Sequence, residues 1–498
     1  MSAPRRVAVP ASPLRGSRRM RRTALACLAA YVAASVLTVA GCLRPHEIRP
    51  EIEAREVGQN YVFESEEARN LHPNRYFYAT DTRLFGPFPR FWIEPRIRLD
   101  RRDWGDLGAA VQDAPEHPLV LRTRFMVDSG FYHDFANYRI DLQDSEEIGA
   151  GASQPDQDIL DVQQAFCLLG TKRSTWTFKL GRQEVDFGSG RLLGTDWHDN
   201  LDRSFDGARL TLADGWRVFD LEPRQWTRRL DVLAADPVRH IDGRLNVEHD
   251  GPRLAAILYS DRRLFPLRVD AAAIFTSSTG DVAGELAGAG REVLTTLSAS
   301  VSGERLGVSE RITFDAEAAV QFGRRGLDDH LAGMFGARLA HTFPTPWKVT
   351  VRAGIEAASG DGDPADGHSG TFRPPFPGDL RDRLGLLRLA TLSNVVATSL
   401  GASFGPAEDL RLGADVRWLR LSDRSAGWFD ADGSPVVLTP GGLELGCELD
   451  VFARYRFATD RGNDAWFEAG LAAFDPADGL RPVRDPVRAF YLQATTRF

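Results

Sequence analysis

The chain has 498 residues, of which 43% are hydrophobic and 26% are charged, with a mean hydropathy of −0.28, which is the composition of an ordered protein. Outside the N-terminus no apolar run reaches the ~20 residues of a transmembrane helix, so a membrane could be crossed only by strands. Beyond residue 41 the chain carries 54 basic and 69 acidic residues, a net charge of −15, without a basic block, which excludes a nucleic-acid partner.

Residues 1–41 have the pattern of an export signal. Basic residues at Arg18–Arg22 precede an apolar, uncharged stretch from Thr23 to Val39. The next residues, Ala40, Gly41 and Cys42, match a lipoprotein signal box, in which the cysteine is lipidated. We therefore predict a lipoprotein-type signal peptide at 1–41, lipidation at Cys42, and a lipid-anchored periplasmic segment at 42–88. The alternative is an ordinary signal peptide with an incidental cysteine.

Residues 89–498 form a series of segments in which apolar and polar side chains alternate. Between Leu410 and Trp418 the apolar residues share one face, and arginine, glycine and aspartate occupy the other. The segment Cys447–Phe457 behaves in the same way. A soluble sandwich also alternates, but these segments are long, their polar face is highly charged, and turn clusters separate them up to the last residue. The pattern predicts an all-β fold: a single closed antiparallel transmembrane β-barrel of about 18 strands with a water-filled lumen.

The last nine residues, Phe490–Phe498, place apolar or small side chains on one face and end in phenylalanine. A final strand of this kind is typical of substrates of the barrel-insertion machinery. It predicts location in the cell outer membrane, in contact with outer-membrane lipids.

Nearly all of the positive charge is arginine, because the chain holds only three lysines. A GC-rich genome would explain this, and so would a need to bind planar carboxylates. Alternation places many arginines on the predicted inward face, although any wet barrel wall carries paired charges. The inward candidates are Arg96, Arg98, Arg122, Arg124, Arg139, Arg209, Arg352, Arg411, Arg417, Arg454 and Arg456.

The segment Leu180–Gly194, with the sequence LGRQEVDFGSGRLLG, resembles the signature of the alginate export family, and the resemblance continues through Arg203–Arg209. Shorter agreements follow at Ala358–Pro377 and Glu448–Gln493. The resemblance implies a monomeric outer-membrane barrel that passes a polyuronate through an arginine-rich constriction.

From the family segment, the resemblance adds Arg182, Arg191 and Arg203 to the pore-lining candidates, with Asp186 and Asp206 as partners that hold arginines in place. By strict alternation Arg182 would face outward with Leu180. We expect a bulge at Gly181 to turn it inward.

These observations predict a channel that passively conducts an anionic polysaccharide or oligosaccharide. The alternatives are a general porin for small solutes and a non-transporting surface or structural barrel. An enzyme is not expected: Asp196–Asp199 with Ser204 lacks a nucleophile elbow, and Asp361–Asp366 lacks the spaced glutamate of a calcium loop. No cofactor and no metal are predicted.

Overall fold

A computed structural model describes most of the chain from residue 90 to residue 497. The described residues are 90–104, 107, 119–128, 136–148, 158–170, 176–196, 198–214, 227–239, 249, 253–264, 267–280, 290–306, 311–431, 433, 435–436, 442–458, 464–480 and 485–497. The predicted signal peptide, Cys42, the segment 42–88 and Phe498 lie outside the described residues.

Eighteen long strands follow one another along the chain, and the alternating segments of the sequence coincide with them. They are β1 (Arg90–Asp103), β2 (Leu119–Asp128), β3 (Ala136–Ile148), β4 (Asp158–Leu169), β5 (Trp176–Gln183), β6 (Phe205–Asp214), β7 (Thr227–Pro237), β8 (Arg253–Leu264), β9 (Leu267–Gly280), β10 (Gly290–Leu306), β11 (Ile312–Arg325), β12 (Asp328–Thr342), β13 (Thr350–Ala358), β14 (Val395–Ala407), β15 (Leu410–Leu421), β16 (Glu444–Ala458), β17 (Asp464–Pro476) and β18 (Val487–Arg497). One helical turn, α1 (Arg381–Leu384), lies between β13 and β14.

Each long strand pairs antiparallel with its neighbours in sequence, and the last strand closes on the first. On β1, Arg96 is opposite Arg122 of β2 and opposite Thr495 of β18. The predicted fold is confirmed: the sheet is a closed antiparallel barrel of 18 strands, without an open edge. Among the described residues, no helix is long and apolar enough to cross a membrane.

The two faces of the wall differ as the alternation predicts. On β15 the side chain of Trp418 is 46% exposed on the outside, whereas Arg417 is 2% exposed inside. The outward face carries large apolar side chains on strands all around the barrel, as lipid contact requires. They include Phe91, Phe125, Ile140, Leu180, Val232, Phe275, Leu297, Val320, Phe335, Ile355, Leu400, Leu449, Leu471 and Leu492.

The two rims of the barrel carry connections of different length. At the rim where the barrel's first strand begins and its last strand ends, turns such as the one between Ala407 and Leu410 are short. The opposite rim carries the longest connections, although β11 and β12 are joined there by a two-residue turn. Two of the long connections, residues 184–204 (loop A) and residues 359–394 (loop B), fold back into the lumen.

Loop B does not extend outward from the rim but folds into the barrel. Its apolar residues pack with those of loop A inside the barrel, and the two backbones are joined directly. Gly194 N donates to Phe376 O at 2.9 Å, and Phe376 N donates to Leu192 O at 3.0 Å. The Phe376 ring also meets Phe205 edge to face at 5.1 Å. Burial of these leucines and phenylalanines outweighs exposure to solvent outside the rim, so part of the lumen holds a packed core.

Candidate functional site

Arg191 of loop A is completely buried against the wall strands β11 and β13. Its guanidinium forms two hydrogen bonds of 2.7 Å with Glu356 and lies 2.8 Å from Asp315. Arg383 of α1 reaches the same two acids, at 3.0 Å from Asp315 and 3.2 Å from Glu356. Both loops are therefore anchored to one acidic cluster, and Arg191 positions the loop rather than contacting a solute.

Arg122 and Arg124 of β2 lie inward, as alternation predicted, and both are almost completely buried. Arg124 binds Asp141 of β3 and Glu184, the first residue of loop A, the latter at 2.8 Å. Arg122 lies 3.3 Å from Glu94 of β1. These arginines brace the wall and the base of loop A, so a solute would not reach them.

Other inward arginines of the wall are also paired with acids. Arg352 binds Asp415 with two hydrogen bonds of 2.8 and 2.7 Å. Arg417 contacts Asp450 and donates to the carbonyl of Asp382 in loop B at 3.1 Å. The remaining pairs are less tightly buried: Arg454 with Asp382 and Glu468, Arg209 with Asp231, and Arg139 with Asp128.

Two arginines of β1 hold loop A by its backbone. Arg96 donates to the carbonyl of Asp199 at 2.9 Å and to the side chain of Asn200 at 3.0 Å. Arg98 donates to the carbonyl of His198. Asp186 serves the same loop from within, accepting hydrogen bonds from the N–H (2.7 Å) and hydroxyl of Thr195. The wall charges thus fix the path of loop A.

Arg182 lies at the long-connection end of β5, where it binds Asp206 of β6 through hydrogen bonds of 2.9 and 3.0 Å. Gly181 has a φ of +119°, yet the pairing of β5 with β4 and with β6 continues past this residue without a register shift. The bulge predicted there is absent. Asp206 also contacts His249, which is exposed, so this pair stabilises the rim.

A cavity of about 430 Å³ remains between the two loops and strands β9–β11. Four arginines line it: Arg203 of loop A and Arg373, Arg381 and Arg388 of loop B. Of these, only Arg203 was predicted from the sequence, through the family segment. The other three lie in an irregular loop, where alternation gives no signal. The only available clue was the concentration of arginine in a long connection.

The cavity also contains acids that bind two of these arginines. Arg388 contacts Asp199 and lies 3.5 Å from Asp196, while Arg381 binds Asp379 at 2.7 Å and contacts His198. Burial, together with the adjacent carboxylate of Asp199, raises the pKa of Asp196 to about 7 in spite of Arg388. Burial, reinforced by Arg381, holds the pKa of His198 well below its usual range. The site therefore contains both cationic and acidic side chains, and its net charge changes near neutral pH as Asp196 titrates.

The side chains of the cavity are of a kind that can bind an anion. Guanidinium groups offer paired donors for a carboxylate, and the carboxylates nearby are engaged by arginines. Among the described residues, no group of three or more His, Cys, Asp or Glu side chains is placed to hold a metal ion. The Asp361–Asp366 segment is an exposed loop whose aspartates accept hydrogen bonds from their own backbone, for example His368 N to Asp366 at 2.8 Å.

Comparison with known proteins agrees with this geometry. A family model described as alginate export matches residues 90–488. OccK11 (OpdR) of Pseudomonas aeruginosa is similar in structure, with a TM-score of 0.53 and 12% identity over 83% of this chain and 99% of that chain. OccK3 (OpdO) of the same organism gives 0.54 and 11%, over 85% and 99% of the two chains. OccAB4 of Acinetobacter baumannii gives 0.50 and 11%, over 82% and 98%. At these identities the likeness shows the fold alone. No match was found among curated proteins.

Proposed function

This chain belongs to the alginate export family and is an outer-membrane channel, and we propose that it passively conducts an anionic polysaccharide or oligosaccharide of the alginate-like, polyuronate type. Family and fold are those of channels rather than enzymes. That the substrate is anionic is inferred from the side chains that line the lumen.

The four-arginine cavity is the observation that carries the proposal. Most wall arginines are buried against acids, so they contribute little field along a permeation path. Arg203, Arg373, Arg381 and Arg388 line a cavity inside the barrel, where Arg381 and Arg388 are also paired with acids. A polyuronate carries one carboxylate per sugar, and permanently protonated guanidinium groups lower the cost of bringing that charge into a narrow lumen.

The cellular setting completes the proposal. Cys42 would be lipidated, the 42–88 segment would join the anchor to the first strand on the periplasmic side, and the barrel-insertion machinery would read the final strand. A single chain closes its own barrel, which supports a monomeric channel.

Flux across proteoliposomes tests the substrate. Vesicles containing the purified chain should release labelled uronate oligosaccharides faster than neutral dextran fragments of the same length, because only the former meet compensating charge. Equal release of both would favour a general small-solute porin instead. No release of either would favour a non-transporting barrel. Vesicles without protein control for leakage.

A further inference from the structure

The outer face of the barrel wall carries a cationic patch at the rim with the longest connections. Three exposed arginines within four consecutive strands form it: Arg253 at the start of β8, Arg291 near the start of β10 and Arg324 near the end of β11. We propose that this arginine patch binds a phosphate group in the head group of an outer-leaflet lipid. The inference concerns the lipid side of the wall, so it does not depend on which solute the lumen conducts.

The register of the strands brings the three arginines together. Arg253 is paired with Ser277 of β9, and Arg324 is paired with Val293 of β10. Ser277 and Val293 are paired with each other, so these four positions form one row across the wall. Arg291 lies two residues nearer the rim than Val293, which makes it the diagonal neighbour of Arg324, with their Cα atoms about 7–8 Å apart. Long side chains at that separation can contact one common anion.

Two acids flank the arginine patch, and neither holds its arginine tightly. Arg253 lies 3.6 Å from Asp236 of β7, and Arg324 lies 3.3 Å from Asp329 of β12. The side chains of Arg253 and Arg324 remain 82% and 76% exposed, and ion pairs between exposed side chains are weak. Neighbouring like charges on a sheet repel each other, and an anion between Arg291 and Arg324 would remove that repulsion. The patch therefore keeps charge available for a ligand.

The arginine patch lies at the height of lipid head groups. Phe322 is two residues from Arg324 on the same face of β11, which is about 7 Å along a strand, and Phe275 is two residues from Ser277 on β9. Both phenylalanines are 42% exposed and paired with Thr295 of β10, so an apolar row runs beside the cationic one. Long connections lie on the outside of outer-membrane barrels, so this rim meets the outer leaflet.

The chemistry of the two rows matches a lipid phosphate. Guanidinium groups bind phosphate through paired, charge-assisted hydrogen bonds, and arginines from different strands can contact different oxygens of one phosphate. The acyl chains of the same lipid would lie against Phe275 and Phe322. Inorganic phosphate offers the charge without the chains, and a neutral lipid offers the chains without the charge. The patch therefore favours a lipid that carries phosphate over either of them.

Lipid titrations of the purified full chain in a non-ionic detergent, followed by native mass spectrometry, test the inference. The probes are diphosphoryl lipid A, the same lipid with both phosphates removed, and inorganic phosphate as a competitor. We expect diphosphoryl lipid A to bind at least about tenfold more tightly than the dephosphorylated form. Arg291→Gln should weaken its binding about fivefold, the effect of one cation at a membrane surface. The matched control is Arg420→Gln, an exposed arginine of β15 that is paired with Glu444 and should leave the Kd unchanged.

Three outcomes would overturn the lipid site. Equal affinity for the two forms of lipid A would show that phosphate is not recognised, and an equal effect of the two arginine variants would show that the patch is not the place of binding. Displacement of lipid A by inorganic phosphate at the concentration of the lipid itself would show that free phosphate is the ligand. Circular dichroism confirms that both variants are folded. The solute that crosses the lumen is tested separately by release from proteoliposomes.

Discussion

Arg191 and Glu356 are 165 residues apart in the chain and form a buried, bidentate ion pair inside the barrel. Glu356 belongs to the wall strand β13, and Arg191 lies in the middle of loop A. Because loop B is joined to loop A by backbone hydrogen bonds, this pair anchors both loops. The width of the lumen therefore depends on side chains that a solute never touches.

Removing Arg191 should destabilise the barrel and loosen the loops. Arg191→Met removes the buried cation that Glu356, Asp315 and Glu317 share and leaves Arg383 beside the first two, and loss of one partner from a buried pair costs about 3–5 kcal/mol. Urea unfolding in detergent should show that loss in the free energy of unfolding, and single-channel recordings should show larger current fluctuations. Unchanged stability together with steady currents would mean that loop A is held elsewhere.

A smaller change at Gly336 of β12 tests the same pair from the wall side. A methyl group there would overlap Glu356 and Arg191, so Gly336→Ala should disturb the ion pair and raise current noise. Gly333→Ala is the matched control on the same strand, because its added carbon would lie 3.4 Å from the Ala319 carbonyl, an ordinary contact. Identical recordings from both variants would contradict this role of the pair.

Adjacent positions of β10 distinguish the lipid face from the lumen face. Leu297 is 43% exposed on the outside, and Ser298 faces inward. Leu297→Arg should reduce the free energy of unfolding in lipid by about 2–4 kcal/mol, as arginine does near the bilayer midplane. Ser298→Arg should cost much less because its charge meets water. Refolding titrations in lipid vesicles measure both, and a reversed order would refute the assignment of the two faces.

The selectivity of the channel should depend on pH through Asp196. With its pKa raised to about 7 by burial and by Asp199, this carboxyl is charged above that pH and neutral below it. Lowering the pH from about 8 to about 6 therefore removes one negative charge beside Arg388 and should strengthen anion preference. Reversal potentials in a KCl gradient measure this. Asp196→Asn should hold the low-pH value throughout, and a wild-type channel without pH dependence would contradict the assignment.

Lipidation at Cys42 can be tested directly. Cells expressing the chain and supplied with labelled palmitate should yield a labelled protein, because the cysteine following Val39–Gly41 fits a lipoprotein signal box. Cys42→Ala should abolish the label. Cys27→Ala is the control, since Cys27 lies within the predicted signal peptide and should leave labelling intact. Label that persists in Cys42→Ala would place the lipid on another residue.

The strands could be predicted because one face of the barrel wall contacts lipid and the other faces the lumen, so that apolar and polar side chains alternate along each strand. Val451 outward and Phe452 inward follow from a period of two, and the long segments recur to the final strand. The same rule placed Arg124, Arg352 and Arg417 inside. It did not reveal that each would be paired with an acid on a nearby wall strand, because pairing depends on register.

The period-two alternation of apolar and polar residues could not predict the cavity. Arg373, Arg381 and Arg388 lie in loop B, whose inward path is set by contacts with loop A from a distant part of the chain. The sequence singled out Gly181, which does have a positive φ. The predicted bulge is nevertheless absent, because the strand register does not shift there, and Arg182 lies at the rim.

Ion selectivity in planar bilayers, measured as the reversal potential in a KCl gradient with and without added uronate oligosaccharides, shows whether the barrel is a channel for anionic saccharides. The structure predicts an anion-preferring current that uronates reduce in a concentration-dependent way, with Arg373→Gln weakening the block. A cation-preferring current that uronates leave unchanged would contradict a channel for anionic saccharides.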